Sequence, residues 1–330
     1  ILLKTCSANE RPRILLASGS HPPRIILPAC WSCFGLLRLN PMVATIEYIE
    51  EIIETFAKAH QANAMTESRL GNVIELKPSL GDEVMVTADL HGHRTNFNAI
   101  RQIADLANHP QRHLVLQEVC HGGPKYPSNG GCMSHMMLED VAKLKVKFPQ
   151  QVHFLMSNHE WAELTDYPIL KNQQMLNLLF RFGMQEMYGP ATDKVRNAYL
   201  PFLRTLPLAV RVDKGIWLSH TLPENVDREG FDTKLLDEEI TDSALEENGS
   251  LFQFIWGRDF RQANAEAFAN FVEAEILIHG HEPTEEGFDV PNSRQIILDS
   301  HGDNGTYVML PIGKQLTQQD IVKRIKKLRP

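Results

Sequence analysis

The chain has 330 residues, 43% hydrophobic and 22% charged, enough apolar material for a sizeable core in one large domain or two small ones. Its 33 basic and 41 acidic residues leave a net charge of -8, which excludes duplex nucleic acid as a generic polyanionic partner. A single phosphorylated substrate is not excluded, because a local pair of metal cations can reverse the field at one site.

Residues 1–41 carry Arg and Pro without periodicity and read as a disordered or non-native leader, with a signal peptide as the alternative. From Met42 the text becomes an amphipathic helix, MVATIEYIEEIIETFAKAH, so an N-terminal helix and a connection are expected over 42–81. The five cysteines (Cys6, Cys30, Cys33, Cys120 and Cys132) are odd in number and irregularly spaced. That is a poor disulfide framework and fits a reducing, cytoplasmic setting. No run is apolar and long enough to span a membrane.

Short apolar runs read as buried strands at 83–90, 112–119, 151–158, 215–221, 274–280 and 294–300. Helical spacing falls between them at 96–107, at 134–148 and over a long stretch from about 167 to 206. Strands alternating with helices predict an α/β layered fold, with one catalytic domain over 82–311. The ending DIVKRIKKLRP predicts a basic C-terminal helix within 312–330.

Five of the apolar runs end in groups suited to a divalent metal: Asp89 and His91, Glu118, Asn158 with His159 and Glu160, His220, and His279 with His281. Ligands in open α/β sheets gather at the carboxyl ends of strands. Taken singly, each group has an ordinary packing role as its competitor. Five strands ending this way are hard to explain by packing, since a buried carboxylate without a partner is costly.

The segments ADLHGH (88–93), LQEVCHGG (116–123), SNHE (157–160), LSHTLP (218–223) and HGHEP (279–283) resemble the ordered motifs of calcineurin-like metallophosphoesterases. Within that family they are most similar to the branch of serine/threonine protein phosphatases and bacterial diadenosine-tetraphosphate hydrolases. The resemblance implies a four-layer fold, a β-sandwich flanked by helices, with a helical insert over 163–206. It also implies two divalent ions, Mn, Fe or Zn. Asp89 and His91 would hold the first, Glu118 would bridge both, and Asn158, His220 and His281 would complete the second. His279 is a supporting candidate.

Such an ion pair, about 3.5–4 Å apart, acidifies a water for attack in line with phosphorus. His159 would protonate the leaving oxygen, and Arg258 in IWGRDF would grip phosphate. The second motif departs from the family pattern: where relatives carry Asp-Arg-Gly, this chain has His121-Gly122-Gly123. Arg94 or Arg258 is then the expected phosphate ligand, and His121 or another group would orient His159. The expected activity is hydrolysis of phosphate monoesters, protein-phosphatase-like, on a phosphoprotein, nucleotide or small molecule. A dinucleoside polyphosphate hydrolase and a weakly catalytic phosphoprotein-binding scaffold are the alternatives.

Overall fold

Alternation along the strands dictates the layering. In the strand Glu83–Val86, Val84 and Val86 face one way and Met85 the other. Likewise Val115 opposes Leu114 and Leu116 in Arg112–Gln117, and Ile216 and Leu218 oppose Trp217 in Ile216–Ser219. Strands that are apolar on both faces need cover on both. One set of side chains meets across two stacked sheets, in a core that also holds Ile276, Ile278, Ile296 and Leu298. The other set lies beneath helices. Helix, sheet, sheet and helix therefore stack in four layers, the expected metallophosphoesterase-type sandwich. The computed structural model describes residues 43–213 and 215–329, so the leader expected over 1–41 lies outside the described residues.

The first sheet has five strands, in the order Ile325–Lys327, Thr306–Pro311, Glu83–Val86, Arg112–Gln117 and Val152–Leu155. The last three run parallel, and Thr306–Pro311 is antiparallel to its neighbours. The second sheet has seven strands, with Ile216–Ser219, Ile276–His279 and Gln295–Leu298 parallel at its centre. All six expected strands are present, but each stops short of the predicted carboxyl end. The residues beyond those ends turn away as loops, and these loops build the site.

Helix α1 (Ile46–Ala64) is capped by Thr45, whose hydroxyl accepts from the Tyr48 amide at 3.3 Å. Helices α2 (Arg94–Ala104), α3 (Ser134–Lys147) and α4 (Asn158–Thr165) follow strands of the first sheet. The long helical stretch resolves into a hairpin, Leu170–Lys171 with Gln174–Met175, and two helices, α5 (Leu176–Tyr188) and α6 (Thr192–Arg204). Helix α1 packs on α3 and α6.

Two expectations are corrected. The segment 42–81 is more than a helix and a connection, since Val73–Leu76 joins the second sheet parallel to Ala209–Val212. The basic tail is a short helix, Gln318–Val322, followed by the strand Ile325–Lys327, rather than one helix. Ile321, Ile325 and Leu328 have helical spacing in sequence, which explains the misreading. Ile321 packs from the short helix, whereas Ile325 lies in the strand paired with Thr306–Pro311, which covers the edge that strand would otherwise expose.

Lys145 of α3 is buried, and its Nζ donates to Thr66 Oγ1 (2.8 Å), Pro149 O (2.7 Å) and Val152 O (3.0 Å). Burial pushes the amine down to about 7, but three oxygens match the three protons of the ammonium form. Lys145→Met leaves two carbonyls without a donor and is expected to cost about 1–3 kcal/mol. A lowered urea midpoint, with metal content unchanged, is the expected result.

Candidate metal centre

The strand ends turn through unusual backbone. His91, Glu118, His121 and His281 all have positive φ, at 42°, 46°, 62° and 69°. Non-glycine residues in this region are strained, and the strain persists only where surrounding contacts enforce it. Here the enforcement comes from neighbouring loops. The His91 and Leu90 amides both donate to Glu118 O at 2.9 Å. Glu160 Oε1 accepts the Val119 and Cys120 amides, both at 2.9 Å, while its other oxygen accepts from the N-cap residue Ser157. The third residue of the NHE triplet thus clamps the loop that carries Glu118.

The imidazoles are oriented from behind. His91 Nδ1 donates to Cys120 O at 3.3 Å, and His220 Nδ1 donates to Gln117 Oε1 at 2.9 Å. Each ring then presents Nε2 as a lone pair to the site. His91 Nε2 lies 2.9 Å from Glu118 Oε1. His220 Nε2 faces Glu118 Oε2 at 2.7 Å, Asn158 Oδ1 at 2.8 Å and His281 Nδ1 at 3.0 Å. Asp89 Oδ1 accepts the His281 amide at 3.0 Å.

Protons alone do not satisfy this centre. Acceptor faces acceptor around Glu118, and both Glu118 Oε2 and His281 Nε2 are buried without a hydrogen-bond partner. Two ligand groups share the carboxylate: His91, Glu118 and His159, and Glu118, His220 and His281. Converging imidazole nitrogens and carboxylate oxygens suit borderline divalent metals, so the residues fit the expected cations. The charges agree. Burial, and then Glu118, push Asp89 up to about 7. Burial also opposes ionisation of Glu118, but the imidazoles of His220, His159 and His91 hold it well below the usual range. The burial of His91 is outweighed by the charge of Glu118, which raises it to about 9, the sense of shift expected where positive charge is drawn to the carboxylate.

The other candidates fall in different places. His159 Nε2 lies 3.7 Å from Glu118 Oε1, and its Nδ1 meets His121 Nδ1 at 2.9 Å. Arg258 borders the same cavity, of about 490 Å3, and pairs with Glu282 rather than with Asp259. Arg94 does not border the cavity; it pairs with Asp140 of α3, so it is corrected as a phosphate ligand. His279 also turns away, with Nε2 at 2.9 Å from Gln295 Nε2 and its ring stacked on Phe260. Gly122 stands where the second motif has its arginine, and its loop leaves no room for a side chain: a Cβ there would meet His91 O at 2.4 Å.

Lys171, Asp299 and His301 border the cavity without having been singled out from sequence. Gln117, Glu160 and Glu163 were missed as supports. Glu163 had a usable signal: it stands four residues after His159, on the same face of α4. Among the described residues no helix is long and apolar enough to cross a membrane, and Cys120 and Cys132 are buried free thiols.

A buried carboxylate shared between two imidazole sets defines a class, the hydrolases that work with metal cations. The profile of the family described as calcineurin-like phosphoesterase matches residues 83–285, more than half of the chain. The chain belongs to this family and is a metal-dependent phosphoesterase. Its fold is similar to that of a protein serine/threonine phosphatase from Saccharomyces cerevisiae with similarity to human phosphatase PP5. The two are 13% identical with a TM-score of 0.63, over 87% of this chain and 90% of that one. A cold-active protein-tyrosine phosphatase of a psychrophilic Shewanella species also matches, at 13% identity and a TM-score of 0.49, over 71% and 76% of the two chains. No curated protein matches the sequence.

Close approach gives a test of the centre. A Cβ on Gly280 would lie 2.3 Å from Asp89 Oδ1. Gly280→Ala is expected to displace that carboxylate and lower bound metal, measured by elemental analysis, while circular dichroism stays native.

Proposed function

We propose that this chain hydrolyses phosphate monoesters with two divalent cations of the Mn, Fe or Zn type, and that phosphoproteins are its substrate class. The carrying observation is Glu118, shared by two ligand groups that lie side by side. In this reading Asp89, His91 and Glu118 hold one cation, and Glu118, Asn158, His220 and His281 hold the other. Bound there, the cations acidify a water and draw charge from the phosphoryl oxygens.

The chain's own residues do the rest. Gln117 and Cys120 O keep His220 and His91 aimed inward through their Nδ1 bonds. The exposed Arg258 exchanges its half-buried partner Glu282 for two phosphate oxygens, which its fork geometry matches. Water gives up a proton to solvent and its oxygen bonds to phosphorus, the ester bond breaks with its electron pair going to the leaving oxygen, and His159, as an imidazolium, supplies the proton there. Burial holds His159 well below the ordinary histidine range, and a phosphate dianion beside it acts in the opposite direction. A protein substrate is supported by the rim: Leu170, Met175 and Leu178 are exposed beside Lys171 and Leu176, which border the cavity.

A panel of p-nitrophenyl phosphate, phosphopeptides, nucleotides and diadenosine tetraphosphate, run with Mn, tests the substrate class. Turnover of diadenosine tetraphosphate in preference to phosphopeptides overturns it, and binding without turnover of any substrate supports a scaffold instead. Asp89→Asn is expected to remove activity and metal together. His159→Asn is expected to lower kcat by about a hundredfold or more with metal retained; loss of metal would make His159 a ligand.

A further inference from the structure

The second motif has lost the family's carboxylate, yet His121 does not stand alone. Its Nδ1 lies 2.9 Å from His159 Nδ1, and its Nε2 lies 2.8 Å from Glu163 Oε1. All three side chains are buried, and Glu163 is fully so. We propose that Glu163 is a positioning residue for hydrolysis, acting through His121 to hold His159 by its Nδ1–H in the orientation that delivers a proton from Nε2. This rests on the phosphoesterase reading above, with His159 as proton donor.

The argument is one of donors and acceptors. An ionised carboxylate only accepts, so the contact with Glu163 requires a proton on His121 Nε2. The neutral ring then has a lone pair at Nδ1. That lone pair accepts from His159 Nδ1–H, which leaves His159 Nε2 facing the cavity. As an imidazolium, His159 carries a second proton on Nε2; when the ester bond breaks, its electron pair goes to the leaving oxygen, which takes that proton and leaves His159 neutral with its proton on Nδ1. His121 keeps its own proton throughout.

The insert is what keeps Glu163 ionised and fixed. Tyr199 of α6 donates to Oε2 at 2.9 Å, with Arg181 of α5 at 3.5 Å. Asn177 of α5 donates to Oε1 at 3.4 Å. Burial opposes the charge, but His121, Arg181 and Tyr199 hold the carboxyl below its usual range. The helices after the NHE motif therefore serve the chemistry from beneath, by supplying the donors that a buried carboxylate needs.

Glu163→Gln is the discriminating change. One amide oxygen cannot serve both sides of the old carboxylate. Arg181 can only donate towards it, and Tyr199 already donates on that side; with the oxygen turned to them, the amide NH2 faces His121 Nε2. His121 then becomes an acceptor at Nε2 and carries its proton on Nδ1, in conflict with His159 Nδ1–H. A wrong tautomer of this kind is costly in the serine-protease triad, where the aspartate is replaced by asparagine.

The test compares two substrates that differ in their need for a proton. With an alkyl phosphate, kcat of Glu163→Gln is expected to fall about a hundredfold. With p-nitrophenyl phosphate, whose leaving group departs as a stable anion, it falls several-fold at most, and KM and bound metal hold. His121→Ala combined with Glu163→Gln adds nothing to His121→Ala alone. Equal losses on both substrates, lost metal, or additive effects in the double variant overturn the proposal.

A second measurement is independent of activity. Nitrogen-15 histidine spectra of the unsubstituted protein are expected to show His121 protonated at Nε2; protonation at Nδ1 overturns the proposal, even if Glu163→Gln does not fold. An unsubstituted protein that hydrolyses neither ester overturns the phosphoesterase reading, whereas the spectrum still judges Glu163.

Discussion

Glu118 is a carboxylate that the fold buries among lone pairs. Its oxygens face His91 Nε2 at 2.9 Å and His220 Nε2 at 2.7 Å, and both rings have already spent their other nitrogen as a donor elsewhere. Desolvating a carboxylate costs several kcal/mol unless positive charge answers it. Divalent cations would answer it, and most of the surrounding architecture keeps the ligands converged upon it.

Backbone and glycine contacts are part of that cost. Four site residues adopt left-handed conformations, and Gly122 and Gly280 let loops approach where any side chain would collide. The strained turns of the site stand at the ends of strands that are apolar on both faces. A rigid sandwich supplies the support, and short turns at its strand ends present the chemistry.

Around this centre runs a layer of oriented hydrogen bonds. Gln117 and Cys120 O set the two ligand imidazoles, Glu160 ties down the Glu118 loop, and the pair His121 and Glu163 backs His159. The last pair would let a changed motif keep its function. Where the family pattern has an aspartate this chain has an imidazole, whose far nitrogen reaches a carboxylate on the neighbouring helix. The chain from carboxylate to acid is longer by one ring, with the same final hydrogen-bond demand on His159.

Much of this was legible in the sequence. The six expected strands follow from runs apolar enough to be buried on both faces, and the candidate metal-binding side chains follow from polar groups that end those runs. NHE, D-x-H-G and H-G-H are local words, so a linear reading finds them. What a linear reading could not find depends on residues far apart in the chain. Arg94 looked like a phosphate ligand until α3 brought Asp140 beside it. The tail looked helical because Ile321, Ile325 and Leu328 recur at helical spacing, but an open sheet edge needed a strand. Glu163 was only an acidic residue on α4 until α5 and α6 surrounded it with Asn177, Arg181 and Tyr199. Sequence by itself determined which chemical groups were available and on which elements. Tertiary structure alone decided which of them lost water together, and it is shared desolvation that turns a set of ordinary side chains into a centre with fixed charges and tautomers.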